Sequence, residues 1–254
     1  MSDVLQHVES GVMTLTLNRV EKKNSFTAAM YAELAEALRL AADDATVRVV
    51  LFQGHETIFS AGNDIADFLN KPPSTPDSPV FRFLNAIATF PKPLLAAVCG
   101  PAVGIGTTML LHCDLVYAGD NAMFSMPFVN LGICPEAGSS LLVPRLMGYQ
   151  RAAEVLLMGD PFMAEAALEV GLVNRVVPPT EANALAQQQA RRLATKPLSS
   201  VIETKRLLKA STTPAVLERM REEGAIFGRM LQEPAAKEAF SAFLEKRKPD
   251  FSSL

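Results

Sequence analysis

The chain has 254 residues, 49% hydrophobic and 20% charged, which is the usage of a globular protein that buries a core without disulfide or metal support. Its formal net charge of -3 supplies no basic field, which argues against nucleic acid or an anionic membrane surface as partners. The three cysteines, Cys99, Cys113 and Cys134, are an odd number outside any metal-ligand spacing. They indicate reduced thiols and a cytoplasmic compartment.

The two ends of the sequence agree with that compartment. The N-terminus lacks the basic start and apolar run of a secretion signal, and no apolar stretch has the length that a membrane-spanning helix needs. The last residues, Ser252-Ser253-Leu254, resemble a peroxisomal ending but lack its basic middle residue. A peroxisomal location is therefore the less favoured alternative.

Strand and helix patterns alternate along the first part of the chain. Period-two alternation across a Ser10-Gly11 turn predicts an opening hairpin, and Thr27 is the predicted N-cap of the first helix. The predicted strands are residues 4–8, 12–17, 48–54, 94–99, 114–118 and 172–177. The predicted helices are residues 28–43, 80–90, 107–112, 141–147, 152–158, 164–170, 182–194, 199–210, 215–231 and 235–246. Residues 71–79 are rich in proline and predict a loop that covers the acyl pocket.

This rhythm predicts an α/β fold with parallel strands covered on both faces. Two parts are expected, an α/β core over residues 1–195 and a helical C-terminal region over residues 196–254. The helical region carries apolar residues at Val201, Leu207 and Leu208. These pack either on their own core or in an oligomer interface, and composition alone does not separate the two.

Two segments of small residues follow predicted buried strands. Residues 59–65 read Phe-Ser-Ala-Gly-Asn-Asp-Ile and would let bare backbone N–H groups face a ligand, although an ordinary tight turn has the same composition. Residues 99–108 place glycines before a predicted helix, so the N–H of Ile105 or Gly106 would lie at a helix N-terminus that favours negative charge. A dinucleotide-binding motif fits poorly, because Met109 stands where its third glycine belongs.

The order of several motifs resembles the crotonase (enoyl-CoA hydratase/isomerase) family over nearly the whole chain. The motifs are Asn18-Arg19 with Asn24-Ser25, residues 59–65, residues 100–106, Cys113-Asp114, residues 132–138 and residues 166–173. The resemblance implies a crotonase-like ββα spiral core and a helical C-terminal trimerisation region. It implies an acyl-CoA thioester substrate, with CoA as part of the substrate and no separate cofactor or metal, and a homotrimer or a dimer of trimers.

The resemblance also assigns binding residues. It places an oxyanion hole on the backbone N–H groups of Ala61 and Ile105, where each donor is typically worth ~3 kcal/mol of barrier. It places the CoA path along Ala61, Gly62, Asn63, Asp64 and Ile65. The backbone near Lys22 and Lys23 would close over the nucleotide.

The acid and base positions favour isomerisation over hydration. The two glutamates of family hydratases would fall on Thr108 and Phe128, and neither is a base near neutral pH. Glu136, in Pro135-Glu136-Ala137-Gly138-Ser139-Ser140, resembles the catalytic base of the Δ3,Δ2-enoyl-CoA isomerases. The hypothesis is that Glu136 moves a proton from C2 to C4 of a 3-enoyl-CoA. Alternatively, Glu136 is a helix N-terminal carboxylate that only complements the dipole.

Other candidates and other functions remain open at this stage. His112 is expected in the core and Cys134 as a pocket-lining apolar residue. An acyl pocket or simple core packing is expected for Phe81, Phe83, Met126 and Phe128. The alternatives to an isomerase are a hydratase or other enolate chemistry on acyl-CoA, and an acyl-CoA-binding protein without catalysis.

Overall fold

The computed structural model describes residues 2–70, 75 and 77–252. Its strands are β1 (Val4–Glu9), β2 (Val12–Leu17), β3 (Val49–Gln53), β4 (Leu94–Val98), β5 (Pro101–Val103), β6 (Leu115–Gly119), β7 (Met123–Ser125), β8 (Phe162–Met163) and β9 (Arg175–Val177). Its helices are α1 (Ala28–Asp43), α2 (Ile65–Asn70), α3 (Pro79–Thr89), α4 (Ile105–Thr108), α5 (Ser139–Met147), α6 (Tyr149–Ala153), α7 (Ala164–Glu169), α8 (Pro179–Ala194), α9 (Leu198–Lys209), α10 (Thr213–Met230) and α11 (Pro234–Leu244).

A six-stranded sheet in the order β1-β2-β3-β4-β6-β9 forms the main layer. β1 and β2 form the predicted antiparallel hairpin, and every later pair in this sheet is parallel. Successive residues of β3 point to opposite faces, and both faces are covered. Val50 and Phe52 join the core beneath α1 and α3, while Val49 and Leu51 pack against α8. The predicted α/β architecture is confirmed.

A second sheet of three short strands, β5-β7-β8, lies beside the first and was not predicted from the sequence. β5 pairs in parallel with β7, and β7 pairs antiparallel with β8. The sequence also gave no sign of α2. The helix expected at residues 107–112 begins earlier, with α4 at Ile105, and continues as a 3₁₀ turn over Met109–His112. Residues 71–74 and 76 of the predicted covering loop lie outside the described residues.

The predicted helices after residue 138 are present, with shifted ends. The helix expected over residues 152–158 is α6 followed by a π turn over Glu154–Met158. The strand expected over residues 172–177 is the shorter β9. α10 packs on α3 and α5, so the C-terminal helices lie directly on the α/β core. This contact positions the functional site described below.

Two apolar side chains of α9 are exposed, at 65% for Leu207 and 76% for Leu208. Of the two alternatives left open by the sequence, packing on their own core does not hold for these two residues. Among the helices in the described part of the chain, none combines the length and apolar character required to cross a bilayer.

Candidate active site

Two loop segments meet where the large and small sheets adjoin. Ser60 and Ala102 form a parallel bridge, and the N–H groups of Phe59 and Ser60 both donate to the Pro101 carbonyl, at 3.2 and 3.0 Å. In return, the Val103 N–H donates to the Ser60 carbonyl at 2.9 Å. The segments therefore run side by side beyond the bridge, which carries residues 61–65 alongside the start of α4.

Glycine at position 62 allows this close approach. Gly62 has φ +87°, and a Cβ there would lie 3.0 Å from the Val103 carbonyl oxygen. Asn24 supports the segment from behind, because its buried side chain donates to the Phe59 carbonyl at 3.1 Å and accepts from the Arg19 N–H at 2.8 Å. This geometry fits the prediction that small residues in this segment leave backbone N–H groups accessible to a ligand.

The predicted donor role of Ala61 needs correction. Its N–H donates to the Lys23 carbonyl oxygen at 2.9 Å, so it is already engaged with the backbone. Lys23 therefore lies against this segment, and the role of Lys22 and Lys23 at the nucleotide stays a prediction. The backbone amide of Asn63 is in a different position. Asn63 forms a parallel bridge with Phe26, in which the Phe26 N–H donates to the Gly62 carbonyl and the Asp64 N–H donates to the Phe26 carbonyl. In such a bridge the N–H of Asn63 itself points away from Phe26. Among the described residues, no hydrogen-bond acceptor is found for the Asn63 N–H.

Ile105 provides a matching amide. It is the first residue of α4, and the first bonds into this helix come from the Thr107 and Thr108 N–H groups to the Gly104 carbonyl. The Ile105 N–H therefore precedes the hydrogen-bonded turns and remains available at the helix N-terminus. Asn63 and Ile105 each follow the Ser60–Ala102 bridge by three residues, and both line one open cavity with about 920 Å³ of empty space.

Side-chain contacts fix the position of Asn63. The buried Tyr31 hydroxyl donates to Asn63 Oδ1 at 2.6 Å. The Asp64 carboxylate accepts from Arg19 Nη1 at 2.8 Å, and this hydrogen-bonded ion pair holds the pKa of Asp64 below its usual value against the opposing effect of burial. The Asp64 side chain therefore anchors the segment, and a place for Asp64 along the CoA path stays a prediction.

Glu136 stands in a tight turn immediately before α5. Ala137 and Gly138 have φ of +60° and +72°, so two successive residues adopt the left-handed conformation that reverses the chain. The buried His112 Nε2–H donates to the Ala137 carbonyl at 2.7 Å, and the Ser139 hydroxyl donates to the Glu136 carbonyl at 2.6 Å. These bonds fix the direction of the Glu136 side chain.

The Glu136 carboxylate faces a second cavity, with about 420 Å³ of empty space, lined largely by apolar and aromatic side chains. The residues that line it are Tyr31, Asn63, Phe68, Val80, Phe81, Leu84, Glu136, Ala137, Met220, Gly224 and Phe227. Asn63, Phe68 and Phe227 also line the Ile105 cavity, so the two cavities adjoin at these three residues. Within the described residues, Glu136 is the one acidic side chain that lines either cavity.

Burial among these groups raises the pKa of Glu136 from 4.5 to about 8. The Thr108 hydroxyl opposes this rise by donating a hydrogen bond to Glu136 Oε1, and the charge of Glu223 adds to it. A carboxyl group whose pKa lies near neutral pH is suited to accept and return a proton. The structure thus brings Thr108, where the resemblance places one of the two hydratase glutamates, into contact with Glu136.

The remaining expected pocket residues divide between cavity and core. Phe128 lines the Ile105 cavity and Phe81 lines the Glu136 cavity, whereas Phe83 and Met126 are buried in the core. Burial lowers the pKa of His112 to about 4, so it stays neutral while donating to Ala137. Burial likewise raises the pKa of the Cys134 thiol to about 11, which keeps it protonated and unreactive.

Sequence reasoning missed three contributors to this site: the Asn63 amide, Tyr31 and Glu223. Tyr31 lies on the buried face of α1, where periodicity indicates only core packing. Glu223 lies on α10, far from Glu136 in the chain. In the described ranges, no group of three His, Cys, Asp or Glu side chains is arranged to hold a metal ion.

Comparisons with known proteins find relatives along almost the entire chain. Residues 7–253 match the family described as Enoyl-CoA hydratase/isomerase. The Escherichia coli K12 protein 1,2-epoxyphenylacetyl-CoA isomerase is 39% identical over 263 residues, and 2,3-dehydroadipyl-CoA hydratase from the same strain is 32% identical over 252 residues; each match covers 99% of both chains. The solved structure of Pseudomonas aeruginosa OdaA superimposes with a TM-score of 0.94 at 49% identity, covering 96% of this chain and 99% of OdaA.

Proposed function

The chain belongs to the enoyl-CoA hydratase/isomerase (crotonase) family, and from that premise we propose that it moves the double bond of a 3-enoyl-CoA to the 2-position. One observation carries the proposal. Within the described residues, Glu136 is the one carboxylate lining an apolar cavity, this cavity adjoins the one lined by Asn63 and Ile105, and the pKa of Glu136 is raised to about 8. Hydration by the family's glutamate pair would need carboxylates at Thr108 and Phe128.

The proposed reaction is a proton shift through an enolate. The Glu136 carboxylate accepts the proton from C2, and the electron pair of the C2–H bond moves into the thioester, placing negative charge on its oxygen. Protonated Glu136 then returns the proton at C4 while the double bond forms between C2 and C3. The carboxylate is regenerated, so no water, oxidant or further acid is consumed.

The thioester oxygen would lie between the Asn63 and Ile105 N–H groups. Both line the same cavity, and the Ile105 amide begins a helix, so each offers a fixed donor to the developing charge without reorganisation. Ala61, Gly62 and Ile65 line the same cavity and would border the pantetheine chain. CoA enters as part of the substrate, and Lys22 and Lys23 would approach its nucleotide.

Family membership supports a proposal for the assembly, and the cysteines support one for the compartment. We infer a homotrimer or a dimer of trimers, which would cover exposed apolar side chains such as Leu207 and Leu208. We place the activity in the cytoplasm, where the three cysteines, free of disulfides, would stay reduced. Light scattering after size exclusion would test the assembly, and a monomer at micromolar concentration would contradict it.

The test of function compares three proteins on 3-hexenoyl-CoA, following the rise in conjugated thioester absorbance. Wild type should convert it, and Glu136→Gln should lose roughly 10²- to 10⁴-fold in kcat, because the amide does not accept the C2 proton. The matched control is Glu165→Gln. Glu165 is an exposed carboxylate in the first turn of α7, so it shares only the helix N-terminal position.

The control variant should retain full activity. Equal activity in wild type and Glu136→Gln would show that Glu136 merely complements a helix dipole. Rapid loss of crotonyl-CoA absorbance with the wild-type protein would instead identify a hydratase. Tight CoA-thioester binding without C2 deuterium exchange in heavy water would identify a non-catalytic binding protein.

A further inference from the structure

A second buried carboxylate, Glu223 of α10, lies under the turn that carries Glu136. Only 4% of Glu223 is exposed. Its Oε2 accepts from the Gly138 N–H at 2.6 Å, and its Oε1 accepts from the Ser140 N–H at 2.9 Å. Both carboxylate oxygens therefore hold the backbone that follows Glu136.

Glu223 holds this turn together with His112 on the opposite side. His112 donates to the Ala137 carbonyl, whereas Glu223 accepts the next N–H group in the chain. Ala137 has a left-handed φ of +60°, a conformation that costs an alanine energy and persists only when its surroundings impose it. The Glu136 backbone is thus fixed from both directions by buried side chains.

The placement of Glu223 differs from that of a cavity residue. Met220 and Gly224, its neighbours on α10, line the Glu136 cavity, while the Glu223 carboxylate faces the beginning of α5. Arg219 donates to the Ser140 hydroxyl at 3.2 Å on the solvent side of the same contact. Glu223 therefore affects Glu136 in two ways, by its hydrogen bonds to the turn and by its negative charge.

We propose that Glu223 is a positioning residue of the isomerase reaction, which fixes the Glu136 turn and, by its negative charge, keeps Glu136 a strong base. This inference rests on the proposed function, because it assigns Glu223 a role only through Glu136. The proposal predicts that different substitutions of Glu223 separate its effect on the position of Glu136 from its effect on the pKa of Glu136.

The surrounding charges support the electrostatic half of the inference. The charge of Glu223 raises the pKa of Glu136, and burial raises the pKa of Glu223 itself, opposed by its hydrogen bonds from Ser140 and Gly138. Among the described residues, the ionisable groups that face the two carboxylates and their turn are Tyr31 from α1, His112 from the 3₁₀ turn after α4, Cys134 from the segment before Glu136 and Arg219 from α10. Burial raises the pKa of both Tyr31 and Cys134. Both therefore stay neutral near pH 7, as does His112, whose pKa burial lowers to about 4, so Arg219 is the cation among these groups.

Two substitutions at Glu223 separate the two contributions. Glu223→Gln keeps the length and removes the charge, and its NH₂ group would meet one of the two backbone N–H donors. Glu223→Asp keeps the charge and shortens the reach. The matched control is Glu218→Gln, an exposed glutamate on the same helix that pairs with Arg221 at the surface.

The measurement is the pH profile of kcat and KM on 3-hexenoyl-CoA for the four proteins. Glu223→Gln should move the acid limb of kcat to lower pH and reduce the plateau roughly 10-fold or more, since the base becomes weaker and less well placed. Glu223→Asp should reduce the plateau while leaving the acid limb near the wild-type position. The KM should change little in either variant, and Glu218→Gln should match wild type within about twofold.

An acid limb that does not move in Glu223→Gln would overturn the electrostatic role, even if kcat falls. If Glu223→Gln does not fold, Glu223→Asp alone decides: a wild-type plateau would overturn the positioning role. Wild-type protein without isomerase turnover would overturn the proposed function itself, and this inference with it. Wild-type turnover with unchanged Glu223 variants would overturn only the inference.

Discussion

Replacing Glu136 by glutamine should stabilise the fold while it removes activity. The folded pKa of about 8 lies roughly 3.5 units above the ordinary value of 4.5, and at 1.36 kcal/mol per unit this corresponds to about 5 kcal/mol of unfavourable charge burial. Water that enters the cavity relaxes part of this cost. We expect a net gain of about 2–5 kcal/mol for Glu136→Gln at pH 9.

The sign of the effect depends on pH. Below about pH 4.5 the Glu136 carboxyl is protonated in both the folded and the unfolded chain, so its ionisation costs nothing. Between pH 4.5 and about 8 the unfolded chain releases the proton first, which lowers the free energy of unfolding of the wild type progressively. Above pH 8 both states are charged, and the full cost persists. Glutamine has no such dependence.

The assay is urea denaturation at pH 5 and pH 9, with wild type and Glu136→Gln at the same subunit concentration, because assembly also contributes to stability. The advantage of the variant in free energy of unfolding should be small at pH 5 and full at pH 9. Glu165→Gln serves again as the control and should show no such widening. An equal difference between wild type and Glu136→Gln at the two pH values would refute the buried-charge explanation.

Three further substitutions test the surroundings of the site. Thr108→Val removes the hydrogen bond that favours ionised Glu136, so the acid limb of kcat should move to higher pH and kcat at pH 7 should fall several-fold. Gly224→Ala places a Cβ 3.0 Å from the Phe81 ring, so the ring should be displaced into the acyl cavity. The KM for CoA thioesters with bulky acyl groups should rise, while the free energy of unfolding in urea is retained. The same KM values as wild type for short and bulky acyl groups would contradict this prediction. Asn24→Ala leaves the Phe59 carbonyl and the Arg19 N–H without their partner, which should cost about 2–4 kcal/mol in urea unfolding.

Elements with strong local patterns were predictable from the sequence. α1 followed from a Thr27 cap and five apolar positions at helical spacing, and the structure shows the Thr27 hydroxyl accepting from the Met30 N–H at 3.2 Å. β3 and β4 followed from short apolar runs, because a strand covered on both faces needs apolar residues at every position.

The small sheet was not predictable in the same way. β5, β7 and β8 contain two or three residues each, too few for a periodic pattern, and their pairing joins parts of the chain that are distant in sequence. The proposed oxyanion donor, the Asn63 amide, was also out of reach of sequence reasoning. Ala61 and Asn63 both flank Gly62, so the sequence does not distinguish their N–H groups. The structure does, because the Ala61 N–H donates to the Lys23 carbonyl, whereas no acceptor for the Asn63 N–H is found among the described residues.

The sequence singled out Glu136 as the proposed base, but the pKa of its carboxyl group was not predictable. Its environment depends on Thr108 from α4 and Glu223 from α10, which act in opposite directions on the pKa of the same carboxyl group. A glutamate at position 108 would add a second negative charge and a second hydrogen-bond acceptor for a water molecule. Addition of water across a double bond requires such a pair of carboxylates. Threonine supplies one donor and no charge, so in the proposed reaction Glu136 is the one base, and it returns its proton to carbon. We therefore expect the opposed shifts of Thr108→Val and Glu223→Gln to cancel in part when both changes are combined, because they perturb one ionisation from two independent sides.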